Sequence, residues 1–123
     1  MVYADTRFFI GLMDDSDEHH LEAIRLKKRY NSEIETSVVT IVELLKGCEE
    51  RNLDAEIIVN SIFQMCKVSG ITLQEAVNAA RYVNEKKLKT IDAVHCSLSG
   101  GEIISFDKDF DKTEIKRISN EKN

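Results

Sequence analysis

The sequence predicts an α/β fold: one three-layer α/β/α domain built around a mainly parallel sheet. Short β-prone apolar segments alternate with longer segments of helical periodicity, and strands separated by helices are joined by the crossovers of parallel sheets. The 123 residues, 42% hydrophobic and 32% charged, suffice for one hydrophobic core. Since there is no proline and no internal boundary or repeat, residues 1–123 are predicted to form a single domain.

The amino-terminal part of the chain is predicted to contain one strand and two helices. The apolar run over residues 1–4 stops at a polar pair, which is typical of a buried strand. Clustered apolar side chains predict a short helix over 8–13, and the acids at 14–17 suit the N-terminus of a helix over 18–30. The inner side of that second helix is predicted to carry Leu21, Ile24 and Tyr30.

The middle of the chain is predicted to add two strands and two helices. The β-prone residues 34–39 predict a strand that passes directly into a helix over 40–47, and a further helix starts at 52 and is followed by a brief strand over 67–71. The apolar stripe of the further helix suits either the core or a dimer face, because the sequence does not separate burial within a chain from burial between chains. That stripe consists of Leu53, Ile57, Ile58 and Ile62.

The carboxyl-terminal part is predicted to contain two helices and two strands. Thr72 and Glu75 have capping-box spacing and predict the start of a helix, and residues 90–98 predict another helix that ends near a glycine pair. The residues predicted to face inward are Leu73, Ala76, Val77, Ala80 and Val83 on the first helix, and Ile91, Val94 and Leu98 on the second. A buried strand over 102–106 and an edge strand over 115–118 complete the predicted sheet.

Charge and cysteine content bound the class of protein. The net charge of −5 argues against holding nucleic acid by a bulk positive field, but it is compatible with carboxylates gathered around divalent cations. No apolar run approaches the ~20 residues that span a bilayer, and the N-terminus is no signal peptide, so no membrane association is expected. The cysteines are widely spaced and lack zinc-binding spacing, which indicates reduced thiols and a cytoplasmic location.

Four carboxylates are predicted to meet at one edge of the sheet. Asp5 and Asp107 each follow a predicted strand, so parallel pairing brings both to the carboxyl edge, where open sheets bind ligands. Glu43 lies one helical turn after the second strand, and Asp92 lies in the first turn of its helix. Crowded carboxylates repel one another, and a set without cysteine or paired histidine favours Mg²⁺ or Mn²⁺, which suit phosphodiester hydrolysis.

The segments that carry these acids occur in the order seen in PIN domains. They are Asp5-Thr6 and residues 37–47, 91–95 and 104–110. Over nearly its whole length the chain resembles the VapC-like branch of that family, the ribonuclease toxins of toxin–antitoxin pairs. Two positions depart from the family pattern, since Arg7 stands where Asn is common and Ser105-Phe106-Asp107 replaces the usual Thr-Asn-Asp.

This resemblance implies a metal-dependent endoribonuclease with a PIN-like fold. It implies that an acidic cluster binds Mg²⁺ or Mn²⁺ and cleaves RNA, supported by two hydroxyls. The cluster consists of Asp5, Glu43, Asp92 and Asp107, and the hydroxyls are those of Thr6 and Ser105. The resemblance further implies a homodimer and an antitoxin protein whose tail blocks the cleft. Arg7 is predicted either to contact the RNA phosphate or to pair with a site acid.

Several of these residues also have a structural interpretation. Thr40-x-x-Glu43 is a capping-box sequence, so Glu43 is equally suited to closing the start of its helix. A lone histidine on a helix, such as His95, is more often structural than catalytic. Asp109 is interpreted as solvated, with reserve ligand as the alternative. The basic groups at 25–29 and 86–89 are interpreted as solvated helix surface, with phosphate contact by one of the two groups as the alternative.

For the whole chain, the alternative to a ribonuclease is a catalytically weak PIN-fold interaction module that acts as a scaffold in an RNA-processing complex. The four retained acids favour the enzyme. A phosphohydrolase on a similar sheet is disfavoured, because Asp5-Thr6-Arg7 lacks a second acid of a DxD pair and no glycine-rich phosphate loop follows a strand.

Overall fold

Five short strands form one parallel sheet in the computed structural model, which describes residues 1–119. The strands are β1 (Val2–Ala4), β2 (Ile34–Ser37), β3 (Lys67–Ser69), β4 (Glu102–Ile104) and β5 (Lys116–Ile118). Their order across the sheet is β3-β2-β1-β4-β5, and all four pairings are parallel. The mainly parallel sheet is therefore confirmed. Residues 120–123 of the predicted domain lie outside the described residues.

Helices connect the strands and cover both faces of the sheet. They are α1 (Thr6–Met13), α2 (His20–Tyr30), α3 (Val38–Arg51), α4 (Ala55–Met65), α5 (Leu73–Asn84) and α6 (Thr90–Leu98), with two 3₁₀ turns at Asn31–Glu33 and Lys108–Lys112. None of the described helices combines the length and the apolar character that crossing a bilayer requires.

Two hydrophobic cores lie on opposite faces of the sheet. Because side chains alternate along a strand, Val2 and Ala4 of β1 join the core under α1 to α4, whereas Tyr3 joins the core under α5 and α6. The neighbouring strand β4 divides in the same way, with Ile104 in the first core and Ile103 in the second. This arrangement confirms the three-layer α/β/α fold.

Three predicted strands are shorter than expected, and one of them is the strand predicted over 67–71, which ends at Ser69. The strand predicted over 34–39 ends at Ser37, and α3 begins at once at Val38, two residues before the predicted start. The strand predicted over 102–106 ends at Ile104. The capping box at the start of α5 is confirmed, because Glu75 accepts a hydrogen bond from the Thr72 amide at 2.9 Å while the Thr72 hydroxyl accepts from the Glu75 amide.

The predicted inward faces of α2, α5 and α6 are wrong in part. Leu21 is 66% exposed, whereas Ala23 and Leu26 of α2 are buried. On α6 the buried residues are Ala93, His95, Cys96 and Leu98, and Ile91 is exposed. On α5 only Ala79 is buried, and every residue of the predicted stripe is exposed: Leu73, Ala76, Val77, Ala80 and Val83. The buried positions on these helices include Ala23, Ala79 and Ala93, whose short side chains allow close packing against neighbouring elements.

The stripe on α4, by contrast, is largely core. Ile58 and Ile62 are buried inside the chain, while Leu53 is half-buried and Ile57 is exposed. All three cysteines are free thiols, and Cys48 and Cys96 are buried among apolar side chains. The sequence left open whether the stripe packs inside the chain or at a dimer face, and the burial of Ile58 and Ile62 shows that this part of it packs inside the chain.

The acids between α1 and α2 pair with arginines. Asp17 accepts from Arg7 Nη1 at 3.1 Å and lies 3.2 Å from Arg51, which also reaches Asp14 at 2.8 Å. The N-cap of α2 is His19, which makes no side-chain capping bond, and Asp17 accepts a hydrogen bond from the His19 amide at 3.0 Å just before the helix begins. The predicted pairing of Arg7 with a site acid is wrong, because Asp17 of this loop binds its guanidinium.

Candidate active site

The candidate site is centred on the carboxyl ends of β1 and β4. These adjacent strands pair Ala4 with Ile104, so the next residues, Asp5 and Ser105, lie side by side. Ser105 Oγ donates to Asp5 Oδ2 at 2.6 Å, and the other Asp5 oxygen accepts from the amide of Phe8 at 3.2 Å. Asp5 is buried, and this burial raises the pKa of its carboxyl above the ordinary value despite both hydrogen bonds.

Three further carboxylates gather beside Asp5. Asp92, in the first turn of α6, and Asp107 and Asp109, at the start of the second 3₁₀ turn, each offer an oxygen within 4.8 Å of the other two. We call these three residues the open arm. Asp107 also accepts a hydrogen bond from the Asp109 amide at 2.9 Å, which fixes the turn. Asp109 keeps a partly solvent-exposed side chain, as its first interpretation expects, and its place beside Asp92 and Asp107 fits the alternative of a reserve ligand. Its spacing of two residues from Asp107 is the only sequence signal for this place.

The open arm is electrostatically unfavourable without a cation. Burial, followed by the charges of Asp107 and Asp5, raises the pKa of Asp92 to about 6. An all-oxygen set of three carboxylates is what Mg²⁺ or Mn²⁺ prefers, and a divalent cation would remove the repulsion. The donor chemistry of these residues therefore fits the implied metal.

Glu43 lies apart from that set, although it faces the same edge. One of its oxygens, Oε1, accepts from Thr6 Oγ1 at 2.5 Å and from His95 Nε2 at 2.6 Å. Burial raises the pKa of Glu43, but the hydrogen bonds from His95 and Thr6 outweigh it, so that the pKa lies below its ordinary value. Among the described residues, neither Asp5 nor Glu43 belongs to the group of carboxylates within 4.8 Å.

The capping-box interpretation of Glu43 is wrong. The N-cap of α3 is Ser37, and Glu43 is the sixth residue of the helix, too far along to reach the first amides. Thr40, the other member of the expected box, instead has its hydroxyl 2.8 Å from that of Thr36. The early start of α3 is the reason, because it places Thr40 inside the helix.

His95 is the second hydrogen-bond partner of Glu43 Oε1. The residue is 2% exposed, and both ring nitrogens are engaged, with Nδ1 lying 2.7 Å from the hydroxyl of Tyr3 and Nε2 lying 2.6 Å from Glu43 Oε1. The Tyr3 hydroxyl lies 2.8 Å from Ser37 Oγ, and burial raises the pKa of Tyr3 to about 12. We call Tyr3, Thr6, Ser37, Glu43 and His95 the buried arm.

The hydrogen bonds of the buried arm form a consistent set. An ionised carboxylate only accepts, so the bonds to Glu43 require donation from the Thr6 hydroxyl and from Nε2 of His95. In the neutral tautomer that satisfies this, Nδ1 accepts from Tyr3, whose oxygen accepts in turn from Ser37. Five elements, β1, α1, β2, α3 and α6, therefore fix one oxygen of Glu43. Sequence reasoning missed this role because the histidine and the glutamate are 52 residues apart.

Comparison with known proteins gives a family match and three similar structures. Residues 2–116 match the family model described as PIN domain. The structure of Mycobacterium tuberculosis VapC20, a sarcin-ricin loop cleaving toxin, is 19% identical with a TM-score of 0.79, and the alignment covers 94% of this chain and 99% of that one. No curated protein sequence matches significantly.

Two further structures belong to toxin–antitoxin systems. A toxin–antitoxin complex from Klebsiella pneumoniae is 21% identical, with a TM-score of 0.72 and coverage of 89% of this chain and 90% of that one. VapBC2 from Rickettsia felis, bound to a DNA fragment from its promoter, is 10% identical, with a TM-score of 0.71 and coverage of 96% and 98%. At these identities the similarity establishes a shared fold.

Proposed function

This chain belongs to the PIN domain family, and we propose that it is an endoribonuclease of the VapC type that uses Mg²⁺ or Mn²⁺. The observation that carries the proposal is the open arm, three carboxylates within 4.8 Å at the edge where β1 and β4 end. A structural neighbour described as a sarcin-ricin loop cleaving toxin supports RNA as the substrate. As a toxin acting on cellular RNA, it would work in the cytoplasm.

The acids of the candidate site have different roles in this proposal. Asp92, Asp107 and Asp109 hold the ion, and Asp5, oriented by Ser105 and the Phe8 amide, adds its charge beside them. When bound, the ion stabilises charge on the phosphoryl centre and lowers the pKa of an attacking water. Asp109 thus joins the acids predicted from the sequence.

Glu43 supplies a carboxylate of fixed orientation from the other side of the site. Its Oε1 accepts hydrogen bonds from Thr6 and His95, so Oε2 would serve as a further metal ligand or as the acceptor of a proton from water. Its lowered pKa keeps it ionised and therefore able to do either. His95 is a positioning residue in this scheme.

The exposed stripe on α5 supports a homodimer. Leu73, Ala76, Val77, Ala80 and Val83 form an apolar helix face that nothing in residues 1–119 covers, with Leu73 82% exposed. Continuous apolar helix faces on soluble proteins are typical of interfaces. Analytical ultracentrifugation of wild type and of Val77→Asp tests this proposal. A dimeric wild type and a monomeric variant would support the stripe as the interface, whereas a monomeric wild type would contradict it.

An antitoxin partner is proposed on the same basis as the toxin function. Two of the similar structures are described as a toxin–antitoxin complex and as VapBC2, which supports a second protein that binds the site. Co-expression of this chain with the product of a neighbouring small reading frame, followed by purification of either one, tests for that partner. Loss of RNA cleavage in the purified pair is the expected result.

The central test is cleavage of a labelled single-stranded RNA by the purified protein in Mn²⁺, in Mg²⁺ and in EDTA. Wild type should cleave only with a divalent ion, and Asp92→Asn should abolish cleavage. Asp15→Asn is the matched control, because Asp15 is exposed and lies in the loop after α1, and it should cleave as wild type does. Intact RNA with wild type in every buffer would favour the scaffold alternative.

A further inference from the structure

A groove lined by lysines opens next to the candidate site. It measures about 310 Å³ and lies between the end of α5, the loop that leads into α6, and the second 3₁₀ turn. Its charged lining consists of Lys86, Lys87, Lys89, Lys112 and Asp109. We call it the lysine groove. These are the basic residues that the sequence left as solvated surface, joined by one from a distant segment.

The lysine groove and the open arm are continuous. Asp109 lines the groove and is also one of the three acids of the open arm. Lys112 Nζ lies 3.1 Å from Asp109 Oδ1, and Lys89 precedes Asp92 by three residues at the start of α6. Both segments therefore bring acidic residues to the open arm and basic residues to the groove.

The loop that carries the lysines is held in place by the fold. The amide of Lys86 donates to the carbonyl of Val83 at 3.0 Å, and the amide of Lys87 donates to Tyr82 at 3.2 Å. Leu88 is buried in the second core, so the residues on either side of it project outward. The lysine positions are thus set by buried and hydrogen-bonded neighbours.

The charges of the groove are available to a ligand. Lys86 and Lys89 are exposed and form no salt bridge with any carboxylate of residues 1–119, whereas Lys87 pairs weakly with Glu85 at 3.7 Å. A protein of net charge −5 with crowded acids repels a polyanion, so an RNA strand needs local positive charge to approach the open arm.

We infer that the lysine groove binds the phosphodiester backbone of single-stranded RNA on one side of the scissile phosphate. The inference rests on the proposed ribonuclease function and names where the strand lies. Lysine is a flexible point charge that contacts phosphate without reading bases, so the groove contributes affinity independent of sequence. A strand that occupies it leads directly over Asp109 to the open arm.

The test is equilibrium binding of a roughly 12-nucleotide fluorescent single-stranded RNA in EDTA, where cleavage does not compete, over a range of salt concentrations. Lys86→Gln/Lys89→Gln should bind about tenfold more weakly at low salt, and the slope of log affinity against log salt should fall by about 1.4, or 0.7 per lost phosphate contact. Lys86→Arg/Lys89→Arg should keep the wild-type affinity, because the charge is retained.

The matched control is Lys28→Gln/Lys67→Gln, which removes the same charge from the opposite edge of the sheet. Lys67 begins β3, and Lys28 lies in the last turn of α2, from which the chain leads to the start of β2; both are exposed. This variant should bind RNA as wild type does. Equal weakening by both double variants, or no binding by wild type at low salt, would overturn the groove.

Wild-type cleavage in Mn²⁺, measured in parallel, separates this inference from the proposed function. If wild type cleaves RNA and Lys86→Gln/Lys89→Gln binds RNA as wild type does, the RNA-binding role of the lysine groove is contradicted and the proposed ribonuclease function stands. Selective weakening by that variant without any wild-type cleavage supports the groove as an RNA site and overturns the ribonuclease.

Discussion

The open arm and the buried arm of the candidate site solve opposite electrostatic problems. In the open arm three carboxylates face one another, and the pKa of Asp92 is raised to about 6 because ionisation there is penalised by burial and by like charges. In the buried arm a single carboxylate, Glu43, is surrounded by donors, and its pKa is lowered. The carboxylates of the open arm therefore repel one another until a cation binds, whereas the Glu43 carboxylate of the buried arm is already stabilised by hydrogen bonds.

This difference predicts opposite responses to mutation. Neutralising an acid of the open arm removes repulsion, so the metal-free protein should become more stable as activity is lost. Truncating a side chain of the buried arm takes a hydrogen bond away from a buried polar group, so stability and activity should fall together. Measurements of both quantities on the same variants therefore test the distinction directly.

The largest effect is expected for Asp107→Asn. Asparagine still accepts the hydrogen bond from the Asp109 amide and caps the 3₁₀ turn, but it lacks the charge of a metal ligand. RNA cleavage in Mn²⁺ should fall at least about 1000-fold, which corresponds to the several kcal/mol that an ion supplies to phosphoryl transfer. The stabilisation that we expect Mn²⁺ to give wild type in thermal melting should be absent from this variant. A variant that still cleaves and still gains stability from Mn²⁺ would remove Asp107 from the open arm.

Glu43→Gln should have the next largest effect. The amide oxygen of glutamine can still accept from Thr6 and His95, so folding should survive, but the ligand charge is gone. We expect cleavage to fall by about 100-fold, and by no less than tenfold, from the loss of one oriented carboxylate. Glu49→Gln, an exposed change on the same helix, is the control. Turnover equal to that of the control would exclude Glu43 from the chemistry.

His95→Ala tests whether the buried arm acts through Glu43. It takes one hydrogen-bond partner from the Glu43 carboxylate, which keeps Thr6, and one from the buried Tyr3 hydroxyl, which keeps Ser37. We therefore expect a loss of about 2–3 kcal/mol in unfolding free energy and about tenfold in the apparent affinity for Mn²⁺. His95→Gln, whose amide nitrogen can donate to Glu43, should recover part of that affinity. A residue that only supports the fold would change stability and leave the affinity for Mn²⁺ unaltered.

A double-mutant cycle completes that test. If His95 works by orienting Glu43, adding His95→Ala to Glu43→Gln should lower cleavage little beyond Glu43→Gln alone. Fully additive losses would instead show that the histidine acts independently, which would contradict its assignment as a positioning residue.

The parts of the site that the sequence predicted are those set by strand ends. Asp5 and Asp107 follow apolar runs, and parallel pairing of β1 with β4 makes their meeting at one edge a consequence of topology. Ser105 lies against Asp5 for the same reason. Nothing more than strand order and direction is needed, so the expectation survives errors of two residues in the strand boundaries.

The parts that the sequence did not predict depend on how helices rotate about their axes. His95 faces Glu43 because α6 buries the side that carries Ala93 and Cys96, and the apolar residues alone indicated a different face. On α5 the longest apolar stripe is exposed, and a single buried alanine makes the contact. Rotation is set by the partner surface, which a single sequence does not contain. The sequence offered Asp109 only as a reserve ligand, because its position depends on the tight 3₁₀ turn after Asp107.

The smallest effect is the pH dependence of stability in the metal-free protein. Asp92 has a folded-state pKa of about 6, whereas an unfolded aspartate titrates near ~3.9, so the folded state binds the proton more tightly. Its contribution is therefore complete below about pH 4 and is lost as the pH rises through about 6. Asp92→Asn, which resembles the protonated acid, should equal wild type at low pH and exceed it above neutrality.

Urea unfolding in EDTA across pH 4 to 8 measures that difference. The advantage of Asp92→Asn above pH 7 should be about 1–2 kcal/mol. This is less than the ~3 kcal/mol that the full difference between the folded and unfolded pKa values would give, because Asp92 is only partly buried and solvent screens its charge. The raised pKa of Asp5 acts in the same direction in both proteins and largely cancels. Mn²⁺ should reverse the order, because only wild type retains the full open arm. Parallel pH profiles for the two proteins would mean that the open arm stores no repulsion, and its contrast with the buried arm would fail.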